Sequence, residues 1–310
     1  MTHKAKVAAA FLAALLTACA NTEPPASNAM PPESRRTQVS EESQRTIESL
    51  QPFAKPKTEI QPGDWLESHN EPGQTFEEYI NENPTLPTPE RRKIYILPLG
   101  RFTSEQAKII RITAGWLEAF YGLPTELLAT QKFKEPLRLI DFRKLPYQQN
   151  RQVRTGYILD EILAPQLLAD AAALIALTSE DLFPDPSMNY VFGQASLQAR
   201  VGVWSLARLD DQADHDTFLR RTLKIAAHEV GHMFTIRHCT RYECVMNGSN
   251  HLGETDSIPV DACPECTAKI AWLSRLSPAD RYQRLIRYAR QNNLKKEAAD
   301  FEQKLSAIRR

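Results

Sequence analysis

The chain has 310 residues, of which 42% are hydrophobic and 25% are charged, enough for one large or two small domains with a buried core. This composition excludes a collagen-like, coiled-coil or wholly disordered chain. The formal net charge is zero at pH 7, so no overall field attracts the chain to nucleic acid, and we expect no nucleic-acid partner.

The first residues are typical of a secretory signal. Two lysines precede an apolar run over residues 7–18, which is too short for a stable membrane span. The run ends in Leu-Thr-Ala-Cys at residues 16–19, which resembles the lipobox of bacterial lipoproteins, whose cysteine carries lipid. We therefore expect a signal peptide over residues 1–18 and an exported protein anchored by lipid on Cys19, in the outer membrane and facing the periplasm. The alternative is a plain signal that is cleaved nearby and leaves Cys19 unmodified.

The next segment, residues 19–61, predicts a flexible tether. Eleven of the 21 prolines lie before residue 90, and Pro, Ser, Glu, Gln and Thr dominate the segment. Isolated apolar residues such as Val39, Ile47 and Leu50 show no sustained periodicity, so the segment cannot bury enough surface to become ordered. Large apolar side chains return near Pro62, and we place one folded domain over residues 62–310.

Strand and helix patterns alternate along this domain, which predicts a mixed sheet with helices packed on it. Apolar residues at helical spacing predict helices over residues 104–121 and 217–234. Strands are predicted at residues 93–97, 137–142, 172–177, 189–193 and 201–206, and the last two are close enough to pair. Ser277 and Pro278 begin a helix, and residues 294–308 carry another apolar face, so the chain ends in packing helices.

The helix over residues 217–234 contains the residues that carry chemistry. His228, Glu229 and His232 form the motif HEVGH. Residues four apart share one helix face, so both imidazoles can bind one metal ion while Glu229 faces a bound water. A catalytic zinc needs a third protein ligand, and His238, six residues after His232, is the first candidate. Two alternatives stay open: the histidines are incidental in a buried helix, or Glu254 is the third ligand, as in thermolysin-like enzymes.

A second cluster follows at once. Four of the five cysteines lie within 28 residues in two pairs, a spacing typical of a four-thiolate zinc site. They are Cys239, Cys244, Cys263 and Cys266. Two disulfides, which an exported protein can form, are the alternative, and a redox pair at CxxC lacks a thioredoxin-like context. The other histidines of the domain match no pattern and are expected at the surface: His69, His215 and His251.

Together these residues resemble the signature of the archaemetzincins, a branch of the metzincin zinc peptidases. That signature is an HExxH helix, a third His followed at once by Cys, a second Cys, a Met two residues later, and CxxC. Residues 63–66, 71–76, 95–100, 180–183 and 190–193 also look like segments of the family, so the resemblance runs from about residue 62 to the last helices. It implies an α+β, metzincin-like zinc peptidase fold. In that fold a mixed twisted sheet has an antiparallel edge strand near residues 190–193, beside an active-site helix and a small C-terminal helical subdomain.

The resemblance also implies a function. His228, His232 and His238 would hold a catalytic zinc, with Glu229 as general base, and the four cysteines would hold a second, structural zinc. Met246 would form the hydrophobic turn beneath the site. The expected protein is a monomeric zinc metallopeptidase that hydrolyses peptides or proteins by a zinc-bound water, with aminopeptidase action as the family suggests. The alternative is a metzincin-fold zinc-binding module of weak or no activity that serves as an envelope peptide receptor or scaffold.

Two positions depart from the metzincin pattern. Thr235 occupies the position, three residues after the second His, where metzincins usually carry Gly. A β-branched residue adopts positive φ poorly, so we expect the turn to differ or to carry strain and His238 to be less well placed. Gly248 lies two residues after Met246, where some metzincins carry a Tyr, so no side-chain oxyanion donor is identified.

Overall fold

The computed structural model describes residues 33–134, 138, 140–144 and 151–310, with side chains from residue 41 onward. The predicted signal peptide and Cys19 lie outside the described residues. The described helices, in chain order, are α1 (Glu33–Leu50), α2 (Trp65–Ser68), α3 (Phe76–Asn81), α4 (Ser104–Tyr121), α5 (His215–Met233), α6 (Leu252–Ser257), α7 (Pro264–Ser274), α8 (Pro278–Gln291) and α9 (Lys295–Ile308). The strands are β1 (Lys93–Leu99), β2 (Thr125–Leu127), β3 (Phe142–Arg143), β4 (Gln152–Arg154), β5 (Ala171–Thr178), β6 (Asp181–Phe183), β7 (Gly193–Ala195) and β8 (Val201–Ser205).

A five-stranded sheet in the order β2-β1-β5-β8-β7 forms the centre of the fold. Its first four strands are parallel, and β7 runs antiparallel to β8 at one edge. All eight residues of β5 are buried, because helices and loops cover both faces of the parallel strands. The strands β3-β4-β6 form a second sheet, whose residues Val153 and Leu182 pack in the same hydrophobic cluster as Leu97 and Leu174 of the central sheet. The mixed sheet with an antiparallel edge strand is therefore confirmed.

Helix α5, which carries the HEVGH motif, is fixed by side chains of α4. Trp116 of α4 donates its indole N–H to the carbonyl of Leu223 at 3.0 Å, and the Tyr121 hydroxyl donates to the carbonyl of Ala227 at 2.5 Å. The other side of α5 contacts β7 and β8. Both α4 and α5 were predicted, because each has a side-chain cap at its start and apolar residues at helical spacing. The edge of the sheet therefore lies directly beside α5.

The edge strand lies further along the chain than predicted. Residues 189–193 were expected to form it, but β7 begins at Gly193 and Val191 makes only an isolated bridge to Leu182. The preceding loop is held by Arg143, which donates to the carbonyls of Met188 and Asn189 at 2.6 and 2.7 Å. These carbonyls are therefore not available for a strand ladder. Of the strand expected at 137–142, part lies outside the described residues, and β3 begins only at residue 142.

The expected flexible tether is wrong from residue 41 onward. The last turns of α1 pack against α7 and α9 through the buried residues Ser43, Thr46 and Leu50. Two of these three residues, Ser43 and Thr46, are small and polar, and the Thr46 hydroxyl donates to the carbonyl of Glu42 at 2.8 Å, so the face gives little hydrophobic signal in the sequence. Residues 55–57 then pair with residues 241–243 by backbone hydrogen bonds of 2.8 and 3.0 Å. The ordered domain therefore begins before residue 62.

The C-terminal helices share the core of α4 rather than forming a separate one. Trp116 contacts the rings of Tyr288 and Phe301. A buried polar network joins α8 and α9 to the loop before α7, because Asp261 accepts hydrogen bonds from Arg281 and Tyr282 at 3.0 Å and from Lys304 at 2.6 Å. Burial raises the pKa of Asp261, but the two cations outweigh it and bring that pKa to about 2, so the carboxylate is ionised. Among the described helices, no helix combines the length and hydropathy that crossing a bilayer requires.

Candidate active site

Three imidazoles converge at the end of α5. His228 and His232 lie one helical turn apart, and their Nε2 atoms are 2.9 Å from each other. His238 lies beyond the helix, and its ring centroid is 5.2 Å from that of His228 and 4.8 Å from that of His232. One ligand atom from each ring lies within 4.8 Å of the other two. The structure therefore brings together all three histidines that the sequence predicted.

The outer nitrogen of each ring is held by an acceptor. The Nδ1–H of His228 donates to the carbonyl of Val245 at 2.9 Å, and that of His232 to the carbonyl of Ile236 at 2.7 Å. Because a carbonyl can only accept, Nδ1 carries the proton in both rings and Nε2 presents a lone pair. Burial lowers the pKa of His228 well below its usual range and that of His232 to about 3, so neither ring takes a second proton.

This donor set fits a divalent cation. Two Nε2 lone pairs that face each other at 2.9 Å repel unless a positive charge lies beside them. Three imidazoles, each with its Nδ1 atom next to an acceptor, match the ligand set of a catalytic zinc that keeps one position open. The residues present therefore fit the zinc that the sequence predicted.

The third histidine has a carboxylate partner that sequence reasoning missed. The Nδ1–H of His238 donates to the two carboxylate oxygens of Glu71 at 2.8 and 3.0 Å. The two residues are 167 positions apart, so their spacing gives no signal. Glu71 stood in a segment noted only for its family-like appearance.

The side chain of Glu229, a residue of α5, lies against Gly193 of the edge strand β7. A Cβ added to Gly193 would lie 2.4 Å from the Glu229 carboxylate, so only glycine allows this approach. Burial raises the pKa of Glu229 to about 8. Its Oε2 atom is buried and has no hydrogen-bond partner among the residues that the structure describes. A buried carboxylate with an unsatisfied oxygen is suited to accept a proton from a molecule that binds next to it.

Thr235 adopts the left-handed conformation that the sequence made doubtful, with φ of +65°. Its hydroxyl accepts a hydrogen bond from the N–H of Thr85 at 3.0 Å and donates to the carbonyl of Leu197 at 3.2 Å. Leu197 belongs to the turn between β7 and β8. The strained residue is therefore held by two hydrogen bonds, one to Thr85 and one to the turn that follows the edge strand, and His238 still reaches the other histidines.

Met246 packs against α5, the helix that carries two of the histidines. It is fully buried, and a Cβ added to Gly231 of α5 would lie 2.6 Å from its sulfur. Two residues further on, a Cβ on Gly248 would lie 2.4 Å from the indole of Trp65. The indole therefore fills the space that a side chain at residue 248 would need, and its ring meets that of His238 edge to face at 5.2 Å.

The four predicted cysteines form a second cluster. They are buried and free, and their sulfurs all lie within 4.8 Å of one another. The sulfurs of Cys239 and Cys263 are 3.7 Å apart, close to the ~3.8 Å that tetrahedral Zn–S bonds of about 2.3 Å imply. Burial raises the pKa of Cys244 and Cys263 well above its usual value, so a cation is needed to hold them as thiolates. The arrangement fits zinc better than two disulfides.

The histidine and cysteine clusters are connected through residues that are neighbours in the sequence. His238 and Cys239 are neighbours, and the carbonyl that orients His228 belongs to Val245, the residue after Cys244. The turn between them is clamped by the buried side chain of Asn247, which donates to the carbonyl of Cys239 at 2.6 Å and accepts from the N–H of Cys244 at 2.9 Å.

A third group, Asp64, His251 and Glu254, also lies close together. Its ligand atoms are already occupied. His251 accepts the N–H of Glu254 at Nδ1 (3.1 Å) and contacts Asp64 through Nε2 (3.4 Å). Glu254 faces Lys57 at 3.5 Å and accepts two backbone N–H groups at 2.9 and 3.0 Å. We assign no metal to this group, and Glu254 lies outside the three-histidine cluster, which argues against the thermolysin-like alternative.

The other histidines differ from expectation at one position. His215 and His251 are exposed, as predicted. His69 is partly buried and stacks on Trp65 with ring centroids 3.7 Å apart.

The parallel sheet with its antiparallel edge, the HExxH helix and the third histidine above a methionine turn define the class of protein as a zinc metallopeptidase, a hydrolase. Comparisons with known proteins agree. Residues 147–272 match Peptidase family M54. The chain is 34% identical over 274 residues to archaemetzincin-2 of Macaca fascicularis, covering 75% of this chain and 74% of that protein. It is 38% identical over 126 residues to the archaemetzincin of Methanopyrus kandleri, covering 40% of this chain and 71% of that protein.

A solved structure gives the same result. The crystal structure of the Methanopyrus kandleri archaemetzincin superposes with a TM-score of 0.50 at 27% identity, covering 61% of this chain and 98% of that chain. The chain belongs to the archaemetzincin family, Peptidase family M54. Its zinc dependence and its action on peptides or proteins follow from the family.

Proposed function

We propose that this chain hydrolyses peptide bonds with a zinc ion held by His228, His232 and His238 and with Glu229 as general base. The observation that carries the proposal is the pair of Nε2 lone pairs at 2.9 Å, with His238 completing the group. Bound zinc would polarise the scissile carbonyl and acidify a water molecule. Glu229 accepts the proton of the attacking water and transfers it to the leaving amine. Its side chain is buried, and its Oε2 atom has no hydrogen-bond partner among the described residues, so this oxygen is open to the proton of the water.

The edge strand would align the substrate. Residues 192 and 196 pair with β8 through hydrogen bonds of 2.8 and 2.9 Å, and the register places Gln194 opposite Val203. Because pairing alternates along an antiparallel strand, the N–H and C=O groups of Gly193 and Ala195 point away from β8. An extended peptide can add to this edge and pass beside Glu229.

We also propose that Cys239, Cys244, Cys263 and Cys266 hold a second, structural zinc. The support is their burial, the 3.7 Å sulfur separation and three backbone N–H groups that point at the sulfurs of Cys244 and Cys263 at 3.2–3.5 Å. Such hydrogen bonds stabilise thiolates. The second zinc would contribute free energy of folding directly.

The test combines zinc stoichiometry with cleavage of a mixed peptide library whose members have free or acetylated N-termini. We expect two zinc ions per chain and cleavage by the parent. Glu229→Gln should keep both ions and lose at least ~100-fold in turnover, the scale of general-base catalysis. The control is Glu59→Gln, because Glu59 is exposed. Equal cleavage by Glu229→Gln and the parent would refute the base, and zinc without any cleavage would favour the binding-module alternative. Cleavage confined to free N-termini would identify an aminopeptidase.

For location, we propose export with lipid on Cys19, supported by the signal pattern of residues 1–19. Fatty-acid labelling that is retained in Cys19→Ala would contradict it.

A further inference from the structure

We infer that residues 71–79, here called the N-terminal brace, hold the loop that delivers the third histidine, and that Glu71 is the positioning residue of His238. This inference rests on the proposed zinc site. It assigns a role to a segment that lies outside residues 147–272, the part of the chain that matches the peptidase family.

The loop of residues 234–238 needs external support. Glycine, which would turn the chain without strain, is replaced by Thr235 with φ of +65°. Besides the contact of Glu71 with His238, the brace makes three hydrogen bonds to this loop. Gln74 donates to the carbonyl of Thr235 at 3.3 Å and accepts the N–H of Arg237 at 3.2 Å. The buried hydroxyl of Tyr79 donates to the carbonyl of Phe234 at 3.0 Å. Backbone groups on both sides of the strained residue are therefore held by side chains of the brace.

The brace is itself anchored to α7. Its helix α3 starts with a capping box in which Thr75 and Glu78 satisfy each other's backbone N–H groups. The N–H of Phe76 donates to the carboxylate of Glu265 at 2.7 Å. Lys269, which is 1% exposed, donates to the backbone carbonyl of Gln74 at 2.5 Å. Since Cys263, one of the proposed structural ligands, is the N-cap residue of α7, the brace connects this helix and its cysteine to the loop of residues 234–238.

Glu71 is the residue of the brace that contacts the third histidine directly. It accepts the Nδ1–H of His238 on both carboxylate oxygens, while the other two histidines use neutral backbone carbonyls. A carboxylate partner fixes the ring orientation and the tautomer, and it makes Nε2 more basic than a carbonyl does. The indole of Trp65 also contacts the His238 ring edge to face, with the ring centroids 5.2 Å apart. The ligand with the most strained approach thus has the strongest partner.

The experiment compares Glu71→Gln and Glu71→Ala with the parent in the full chain, and Glu59→Gln is the control for loss of an exposed carboxylate. The zinc dissociation constant of the histidine site is measured by chelator competition, and the visible spectrum of the cobalt-substituted protein reports ligand geometry. We expect Glu71→Ala to bind zinc roughly 10- to 100-fold more weakly and to alter the cobalt spectrum. Glu71→Gln, which keeps one acceptor oxygen, should lie between Glu71→Ala and the parent, and Glu59→Gln should match the parent.

Two further readouts separate the possible outcomes. Thermal unfolding of the zinc-free proteins shows whether Glu71→Ala folds, and Glu71→Gln, which is isosteric, gives the result if it does not. Dissociation constants and cobalt spectra equal to those of the parent in both variants would overturn the role of Glu71. A parent that binds no zinc through its histidines would instead overturn the proposed function, and this inference with it.

Discussion

Replacing Thr235 by valine tests whether its hydroxyl offsets the strain of the ligand loop. Valine keeps the β-branch and the φ of +65° but removes the bonds to Thr85 and Leu197. Each hydrogen bond contributes about 0.5–1.5 kcal/mol net, so Thr235→Val should lower the free energy of unfolding by about 1–3 kcal/mol. Thr235 is only partly buried, which favours the lower half of that range.

Glycine at the same position separates strain from hydrogen bonding. Thr235→Gly loses the same two hydrogen bonds. It removes the strain of the left-handed conformation, which adds about 1–2 kcal/mol to the free energy of unfolding. Because glycine is more flexible in the unfolded chain, it also lowers that free energy by about 0.5–1 kcal/mol. It should therefore be more stable than Thr235→Val by roughly 0.5–1 kcal/mol. Thr235→Ser, which keeps the hydroxyl, should lie near the parent.

The assay is urea denaturation followed by circular dichroism at a fixed excess of zinc. Thr235→Val with the stability of the parent would show that the hydroxyl contributes nothing. A Thr235→Gly protein less stable than Thr235→Val would show that the left-handed residue is not strained.

Two further predictions concern the cysteine cluster and a buried lysine. Cys266→Ser should lose one equivalent of zinc and melt at a lower temperature, because a structural zinc stabilises only the folded state; unchanged zinc content by elemental analysis would favour disulfides. Burial lowers the pKa of Lys224 to about 8, against about 10.4 in an unfolded chain. Between these values the unfolded state binds more protons, so stability should rise with pH, and Lys224→Met should reduce that rise. Urea unfolding of the parent and of Lys224→Met at pH 8 and 10 gives the change in the free energy of unfolding between the two pH values. An equal change in both proteins would contradict the prediction.

Local signals account for what the sequence predicted. The helix period places His228 above His232, and His238 follows within the same stretch of chain. The observed bounds of α4 equal the predicted ones, because Thr103 caps its start and Gly122 ends it with φ of +65°. Where the residues in question are close in sequence, spacing and cap chemistry are sufficient.

Long-range contacts account for what the sequence did not predict. Glu71 meets His238 across 167 residues. The edge strand is displaced because Arg143 holds the carbonyls of the loop before it. The end of α1 packs against α7 and α9 through Leu50 and two small polar residues, Ser43 and Thr46, and this composition resembles a disordered segment when it is read from the sequence alone. In each case the deciding partner lies in another element, and no window of sequence contains both.

Because the two clusters are joined through neighbouring residues, competition between zinc binding and oxidation at the cysteines would also affect the histidines. A free thiol can be captured either by a metal or by an oxidant, and the four cysteines would offer both reactions as soon as the chain folds. If Cys239 or Cys244 were oxidised first, the residues beside them, His238 and Val245, would be displaced as well. A chain that met an oxidant before zinc would therefore become inactive without any chemical change to its histidines.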